Sequence, residues 1–178
     1  EAVNDAYEAF PESSEQVIHP DRYPDESPVA VTVADRAANG WERFDVEHPT
    51  DTLGEASIYV TLYQNGVVNE SHAQYNYSHP LSTGWAGDRL VPYRRTADDG
   101  TEYGYVWKVE WDTEADAEEF VAGCRALRAS HNATRSGDTY VVPDGGYADA
   151  FRVTREGTTV TIVNAPTTAA LDAVHARR

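Results

Sequence analysis

The residues that could carry chemistry are six histidines, one cysteine and 30 acidic residues in a chain of 178. A zinc site needs three or four protein ligands that converge on the metal. The histidines form no His-Glu-x-x-His motif and no other i, i+4 pair. His72 and His79 share a tyrosine-rich stretch, but solvated loop histidines are the simpler interpretation. The sequence therefore predicts no metal ligand and no cofactor in this chain.

Nucleophilic catalysis has no recognisable motif either. No Gly-x-Ser-x-Gly occurs, and Cys124 lies in an apolar helical pattern typical of a buried small hydrophobe. With 30 acidic residues, pairs of carboxylates are expected by chance and identify no site. The run DTEADAEE lacks the glycine of a calcium loop and indicates a helix start. We predict no catalytic residue, which favours a non-catalytic chain and leaves the question of an enzyme open.

Aromatic residues alternate along a predicted β-hairpin. The segments DRLVPYRR and TEYGYVWKVEW flank the turn signal Ala-Asp-Asp-Gly at residues 97–100. A period of two predicts strands with one face on a core. Core packing is the favoured interpretation, and a platform for carbohydrate or peptide is the alternative. The aromatic side chains concerned are Trp85, Tyr103, Tyr105, Trp107 and Trp111.

Helices are predicted to follow the hairpins. Asp112 or Thr113 would cap the first helix, which has one apolar stripe, and a second hairpin that turns at Glu156-Gly157 precedes a last helix opened by Pro166. A helix is also favoured from about Thr52, although the β-branched run at residues 58–61 leaves a strand as the alternative. This order predicts an α+β fold, with an antiparallel sheet built from hairpins and helices packed on one face. Arg89 is expected to pair with Asp88 or Asp112 at the edge of the core.

The N-terminal part reads as a separate arm. Residues 1–10 have helical spacing, and Ser13 or Ser14 would cap a short helical turn that ends at His19-Pro20. Prolines then mark a loop, and strands are predicted from Val29 and from Trp41. We therefore predict a short helical arm over residues 1–28 and one α+β domain over residues 29–178.

The charge of the chain points to its environment. The formal net charge is −16, and Lys108 is the only lysine beside thirteen arginines. Acidic surfaces with little lysine are typical of proteins from very high salt, where a Debye length of about 3 Å screens the repulsion between carboxylates. The sequence thus indicates a haloarchaeal protein. The charge argues against nucleic acid and anionic membrane surfaces as partners, and no apolar run is long enough to span a membrane.

Three Asn-x-Ser/Thr sequons begin at Asn69, Asn76 and Asn132. Such sites accept N-linked glycans in exported proteins. Three of them in polar stretches favour a glycosylated protein that is extracellular or at the cell surface.

Three further motifs together resemble a known family. The stretches are AVNDAYEAFPESSEQVIHPDRYP, DTLGEASI and GWAGDR…YGYVWKVEWDTEADAEEF. In this order they are similar to the C-terminal region of a haloarchaeal cell-surface protein family related to bacterial lipoproteins. In those relatives a zinc-peptidase-like segment with a His-Glu-x-x-His helix lies upstream, so the resemblance places any zinc in a longer parent protein. The shared residues include Glu15, Gln16, His19, Gly84, Trp85, Asp88, Arg89, Trp107 and Trp111.

Three hypotheses for function follow from the resemblance and the composition. The first is a non-catalytic domain of an exported surface protein that acts in envelope assembly or binds a protein or envelope partner, including a second copy of itself. The second is the substrate-positioning C-terminal part of a secreted zinc metallopeptidase. The third is a self-assembling or toxin-like secreted fragment.

Overall fold

The computed structural model describes residues 10–69, 76–98 and 100–177. In chain order the elements are α1 (Ser14–Ile18), β1 (Glu42–Arg43), α2 (Gly54–Gln64), β2 (Trp85–Ala97), β3 (Gly100–Trp111), α3 (Glu114–Ser130), β4 (Thr134–Ser136), β5 (Thr139–Val141), β6 (Ala150–Glu156), β7 (Thr159–Ala165) and α4 (Leu171–Val174). The seven strands form one antiparallel sheet in the order β1-β2-β3-β7-β6-β5-β4. This arrangement with its helices confirms the predicted α+β class.

The long hairpin β2–β3 forms the centre of the fold. Its register runs from Trp85 opposite Trp111 to Ala97 opposite Gly100, with a shift between Trp85 and Gly87. The turn is where the Asp-Asp-Gly signal predicted it. The second predicted hairpin is β6–β7, and β7 pairs with β3, so the two hairpins lie side by side. Local turn chemistry and strand alternation therefore account for the middle of the sheet.

One face of the sheet carries the two long helices. Helix α3 begins with a capping box in which the Thr113 hydroxyl accepts from the Asp116 amide and the Asp116 carboxylate accepts from the Thr113 amide. Its apolar stripe packs on the sheet together with α2. This first core cluster includes Ile58, Leu62, Trp85, Val109, Trp111, Phe120, Cys124, Val160 and Ile162.

The opposite face of the sheet has a second, smaller core. The four-residue helix α4 lies here, together with Trp41 and the non-helical chain around Val33 and Ala37. We predicted that the helices pack on one face of the sheet. This is true of α2 and α3, but α4 packs on the other face. The buried residues of this cluster include Val91, Tyr93, Val106, Val163, Leu171 and Val174.

Two predicted strands are wrong in whole or in part. Residues 29–33 form no strand, because this segment crosses the face of the sheet and its carbonyls meet side chains: Arg43 Nη2 donates to the Val33 carbonyl at 2.6 Å. The strand predicted from Trp41 is limited to β1, two residues long. The helix predicted for residues 1–10 falls almost wholly outside the described residues, which begin at Phe10.

The favoured helix from about Thr52 is confirmed as α2, but neither Asp51 nor Thr52, the residues expected to cap it, is its N-cap residue. Helix α2 begins at Gly54 and its N-cap residue, Leu53, offers no side-chain hydrogen bond. A carboxylate from β2 takes over that role, as the site geometry shows below. Within the described part of the chain, no helix is long and apolar enough to cross a bilayer.

Candidate functional site: a cavity between the sheet and two helices

A cavity of about 270 Å³ lies between the sheet, α2 and α3. Its walls are mainly apolar and aromatic, and a few polar groups converge on it, as is usual for small-molecule sites. We call it the α2–α3 cavity. It is lined by Leu53, Ile58, Thr61, Leu62, Asn65, Leu90, Tyr105, Trp107, Phe120, Cys124, Leu127, Arg128, His131, Val142, Tyr147, Phe151 and Ile162.

Trp107 forms one wall of the cavity and is held in place from both sides. Its indole N–H donates to Asp88 Oδ2 at 2.6 Å, and its ring meets Phe120 edge to face at 5.7 Å between centroids. The indole N–H is the only hydrogen-bond donor of a tryptophan side chain, so this bond sets the orientation of the Trp107 ring. The sequence motifs containing Asp88 and Trp107 thus position an aromatic wall.

Asp88 also holds the start of α2. Both of its carboxylate oxygens accept from the Leu53 amide, at 3.1 and 3.0 Å. The side chain is 3% exposed, and burial raises its pKa while the bonds from Trp107 and Leu53 lower it. A carboxylate at a helix N-terminus satisfies amides that the helix leaves unpaired. Asp88 therefore fixes α2 and Trp107 relative to each other across the cavity.

Arg128 brings a positive charge to the cavity from the last turn of α3. Its side chain is 6% exposed, and Nη1 donates to the Cys124 carbonyl at 2.9 Å. The guanidinium lies over the rings of Phe151, at 4.8 Å, and Tyr140, at 5.5 Å. Such cation–π contacts are favourable when they are shielded from water. Burial raises the pKa of Tyr105 to about 12, so its phenol stays neutral in this environment.

The rim of the cavity is polar and more exposed. His131 Nε2 lies 2.7 Å from Asn65 Oδ1, which joins the ends of α2 and α3. Tyr147, 60% exposed, packs against the His131 ring at 5.0 Å between centroids. Access to the cavity therefore passes between the end of α2 and the loop that follows β5.

The predicted motif residues Glu15, Gln16 and His19 come together beneath α2 rather than in the cavity. His19 Nε2 lies 3.0 Å from Glu55 Oε1, and Glu55 is fully buried in the first turn of α2. Gln16 is buried as well, and its side-chain Oε1 accepts from the Glu12 backbone N–H at 2.6 Å. Burial raises the pKa of Glu55, against the lowering effect of His19. These contacts lock α1 onto the start of α2.

An acidic cluster lies beside this junction and is centred on Arg22. Ligand atoms of Glu15, Glu26 and Asp112 lie within 4.8 Å of one another. Arg22 Nη1 contacts all three, at 2.6, 3.3 and 2.9 Å respectively. A guanidinium already occupies the position that a cation would take, so the cluster reads as an ion-pair network. Burial raises the pKa of Glu15 to about 8, opposed by the charge of Arg22.

The other predicted residues have structural surroundings. Trp85 and Trp111 are 2% exposed in the first core cluster. Gly84 has a φ of +84°, and a Cβ there would meet the Asp116 side chain at 2.6 Å, so only glycine fits this entry to β2. The expected ion pair of Arg89 with Asp88 or Asp112 is not formed: Arg89 reaches Thr50 Oγ1 at 3.4 Å, and Asp112 pairs with Arg22.

The three sequon asparagines, Asn69, Asn76 and Asn132, are exposed. Asn132 is in the left-handed region with φ +56°, directly after α3. Glu70 and Ser71 of the first sequon, and His72 of the histidine pair considered above, lie outside the described residues. Exposure is a condition that glycosylation requires, and glycosylation itself stays a prediction.

A second, open groove of about 520 Å³ lies on the opposite face of the sheet. Lys108, the only lysine, lines it, and its ammonium approaches the Thr32 carbonyl at 3.5 Å. Burial lowers the pKa of His175 to about 4, assisted by the nearby charges of Arg36 and Arg152. The lining of this groove is mostly threonine and charged side chains, so the groove is less apolar than the α2–α3 cavity.

Sequence reasoning missed Arg128, His131, Tyr147 and Phe151. One signal could have found Arg128, since it stands four residues after Cys124 on the apolar stripe of α3, where a charged residue is unexpected. The aromatic pattern predicted Tyr105 and Trp107 as core residues, and they are partly buried walls. Tyr103, from the same set, is 59% exposed.

Comparisons with known proteins place the cavity within a family. No curated protein and no solved structure matches the chain. A family model described as "Domain of unknown function (DUF8575)" matches residues 42–175, three quarters of the sequence and every residue that lines the cavity. Glu15, Gln16 and His19 precede the matched span. The chain belongs to the family described as Domain of unknown function (DUF8575).

Proposed function

We propose that this is a non-catalytic binding domain that holds a small molecule with an apolar body in the α2–α3 cavity. The observation that carries the proposal is the cavity itself. It opens to solvent, has a volume of about 270 Å³ and is lined mainly by apolar and aromatic side chains with a few polar groups, which is the usual make-up of a small-molecule site. The volume is close to the lower end of small-molecule sites, which run from about 300 to 1,000 Å³.

The biological setting is part of the same proposal. The acidic composition, the three exposed sequon asparagines and the resemblance to a surface-protein family support an exported haloarchaeal protein. In this proposal the partner expected at the cell envelope is a small molecule that fits the α2–α3 cavity.

The test compares two variants at Cys124, a cavity residue that is 4% exposed. Cys124→Leu adds side-chain volume to the cavity, and Cys124→Ala leaves it open. The probe is 3-phenylpropan-1-ol, an uncharged molecule with an aromatic body, titrated calorimetrically in molar potassium chloride. We expect binding to the unsubstituted chain and to Cys124→Ala, and at least tenfold weaker binding to Cys124→Leu. Matching thermal transitions of both variants serve as the control for folding.

Two results would contradict the proposal. One is the absence of binding by the probe and by a series of longer and shorter arylalkanols. The other is binding that Cys124→Leu leaves unchanged, which would place the probe elsewhere on the protein.

A second candidate is the substrate-positioning part of a zinc metallopeptidase. One observation favours it: Glu15, Gln16 and His19, the motif residues that precede the matched span, form a buried polar junction with Glu55 and the Arg22 network. The zinc ligands would lie in an upstream segment of a longer parent protein. Zinc-dependent proteolysis by the native parent, lost on substitution of an upstream His-Glu-x-x-His motif, would support this candidate. A parent without that motif would rule it out.

A further inference from the structure

Arg128 carries a buried charge without an acidic partner. The side chain is 6% exposed, and its Nε is buried and has no hydrogen-bond partner. Among the described residues, no carboxylate lies within ion-pair distance of its guanidinium, in a chain that has 30 acidic residues. Buried charges are normally paired, because an unpaired charge keeps the cost of leaving water.

The contacts that Arg128 does make hold it in position without neutralising it. Nη1 donates to the Cys124 carbonyl, one turn earlier in α3. The rings of Phe151 and Tyr140 lie against the guanidinium at 4.8 and 5.5 Å. Aromatic faces and a helix C-terminus favour a cation, but both carry only partial charges. A guanidinium held in place by these contacts therefore lines an apolar cavity.

We propose that the ligand of the α2–α3 cavity is an amphiphilic carboxylate, with its apolar body against the aromatic walls and its carboxylate paired with Arg128. This inference rests on the proposed function, since it assigns the chemical class of that ligand. A guanidinium binds a carboxylate through two parallel N–H donors, and such charge-assisted bonds are about twice as strong as neutral ones. Arg128 lines the cavity, so a carboxylate would reach the guanidinium from the cavity side.

The experiment compares 3-phenylpropanoate with 3-phenylpropan-1-ol, which has the same body and no charge. Both are titrated calorimetrically at neutral pH in molar potassium chloride. Chloride competes with the carboxylate for Arg128 and not with the alcohol, so the preference is measured against that competition. We expect the carboxylate to bind about ten- to a hundredfold more tightly than the alcohol, the range for hydrogen bonds to a charged group. Arg128→Met should abolish this preference and leave the affinity for the alcohol within about threefold.

Two further variants complete the design. Arg125→Met changes an exposed arginine on the same helix and should leave the preference intact. Arg128→Lys keeps the charge, loses the fork and should retain part of the preference, and it serves in place of Arg128→Met if that variant does not fold.

The outcomes separate this inference from the proposed function. Equal affinity of the unsubstituted chain for both probes would overturn the carboxylate assignment and leave the binding domain standing. An undiminished preference in Arg128→Met, or in Arg128→Lys where Arg128→Met does not fold, would overturn it as well, and would move the anion contact elsewhere. Binding of neither probe would refute the proposed function and the inference with it.

Discussion

Replacing Asp88 should be among the most destabilising single substitutions in the domain. The carboxylate is buried, accepts from Trp107 Nε1 at 2.6 Å and accepts twice from the Leu53 amide near 3.0 Å. Asp88→Ala removes the carboxylate that accepts from both groups. The Trp107 indole N–H and the Leu53 amide at the start of α2 are then left buried and unpaired. Each bond to a charged group contributes about 1.5–3 kcal/mol, so we expect a loss of about 3–5 kcal/mol in the free energy of unfolding.

Asparagine at the same position should cost less than alanine. Burial raises the pKa of Asp88, which means that the neutral form is favoured over the charged form more strongly in the folded protein than in water. Asp88→Asn keeps one acceptor oxygen and turns an amide NH₂ toward the other donor. We therefore expect a loss of about 1.5–3 kcal/mol.

The assay is urea unfolding in molar salt, followed by tryptophan fluorescence. Asp144→Ala is the matched control, because Asp144 is an exposed carboxylate on a loop. The reasoning is refuted if Asp88→Ala loses less than about 1 kcal/mol, since ordinary surface substitutions stay within about 0.5 kcal/mol. It also fails if the asparagine variant proves less stable than the alanine variant.

Three other predictions concern pH, salt and packing. Because burial raises the pKa of Glu15 to about 8 from 4.5, the folded chain binds a proton that the unfolded chain releases. Stability should thus fall as pH rises from about 4.5 to about 8, by up to roughly 5 kcal/mol relative to Glu15→Gln. A constant difference between the two unfolding curves would contradict this. On dilution from molar to about 0.1 M salt, the thermal transition should shift sharply downward, since the repulsion of a −16 surface is then less screened, and an unchanged transition would remove the case for a halophile. Gly104→Ala should cost about 1–3 kcal/mol, because a Cβ there would meet the Asn164 carbonyl oxygen at 2.6 Å, whereas Gly146→Ala, which meets nothing within 4 Å, should be neutral in the same melting assay.

The sequence was most informative where the structure is local. The hairpin turns, the N-cap at Asp112 or Thr113 and the helix from about Thr52 were predicted from residues within a few positions of each other, and the structure has the turns, a cap at Thr113 and a helix that begins at Gly54. Residues 29–33 show where this reasoning ends. Their alternation of apolar and polar residues is that of a strand, but the segment covers the sheet face as irregular chain. Val31, in the middle of the segment, is buried.

The candidate site was less accessible from the sequence because its parts are far apart in the chain. Leu53, Trp107, Arg128 and Phe151 meet only after the sheet has paired and both helices have packed. The motifs did identify Asp88 and Trp107 as residues of interest, but a motif gives no distance between its parts. That one carboxylate caps a helix from a different element and also holds an indole is a property of the tertiary structure.

The polar motif residues explain how an open cavity can persist between the sheet and the two helices. Leaving apolar walls unpacked opposes folding, and the surrounding elements would gain energy by closing on the gap. Helix α2 cannot do so freely, because its first turn is fixed by Asp88 on one side and, through Glu55, by His19 on the other. These directional bonds set the position of α2 independently of how well its apolar side fills the space below. Motif residues that contact no ligand can thus serve binding by holding the cavity open. If this is correct, Asp88→Asn should weaken the binding of 3-phenylpropan-1-ol even under conditions in which the variant remains fully folded, where its lower stability cannot account for the change.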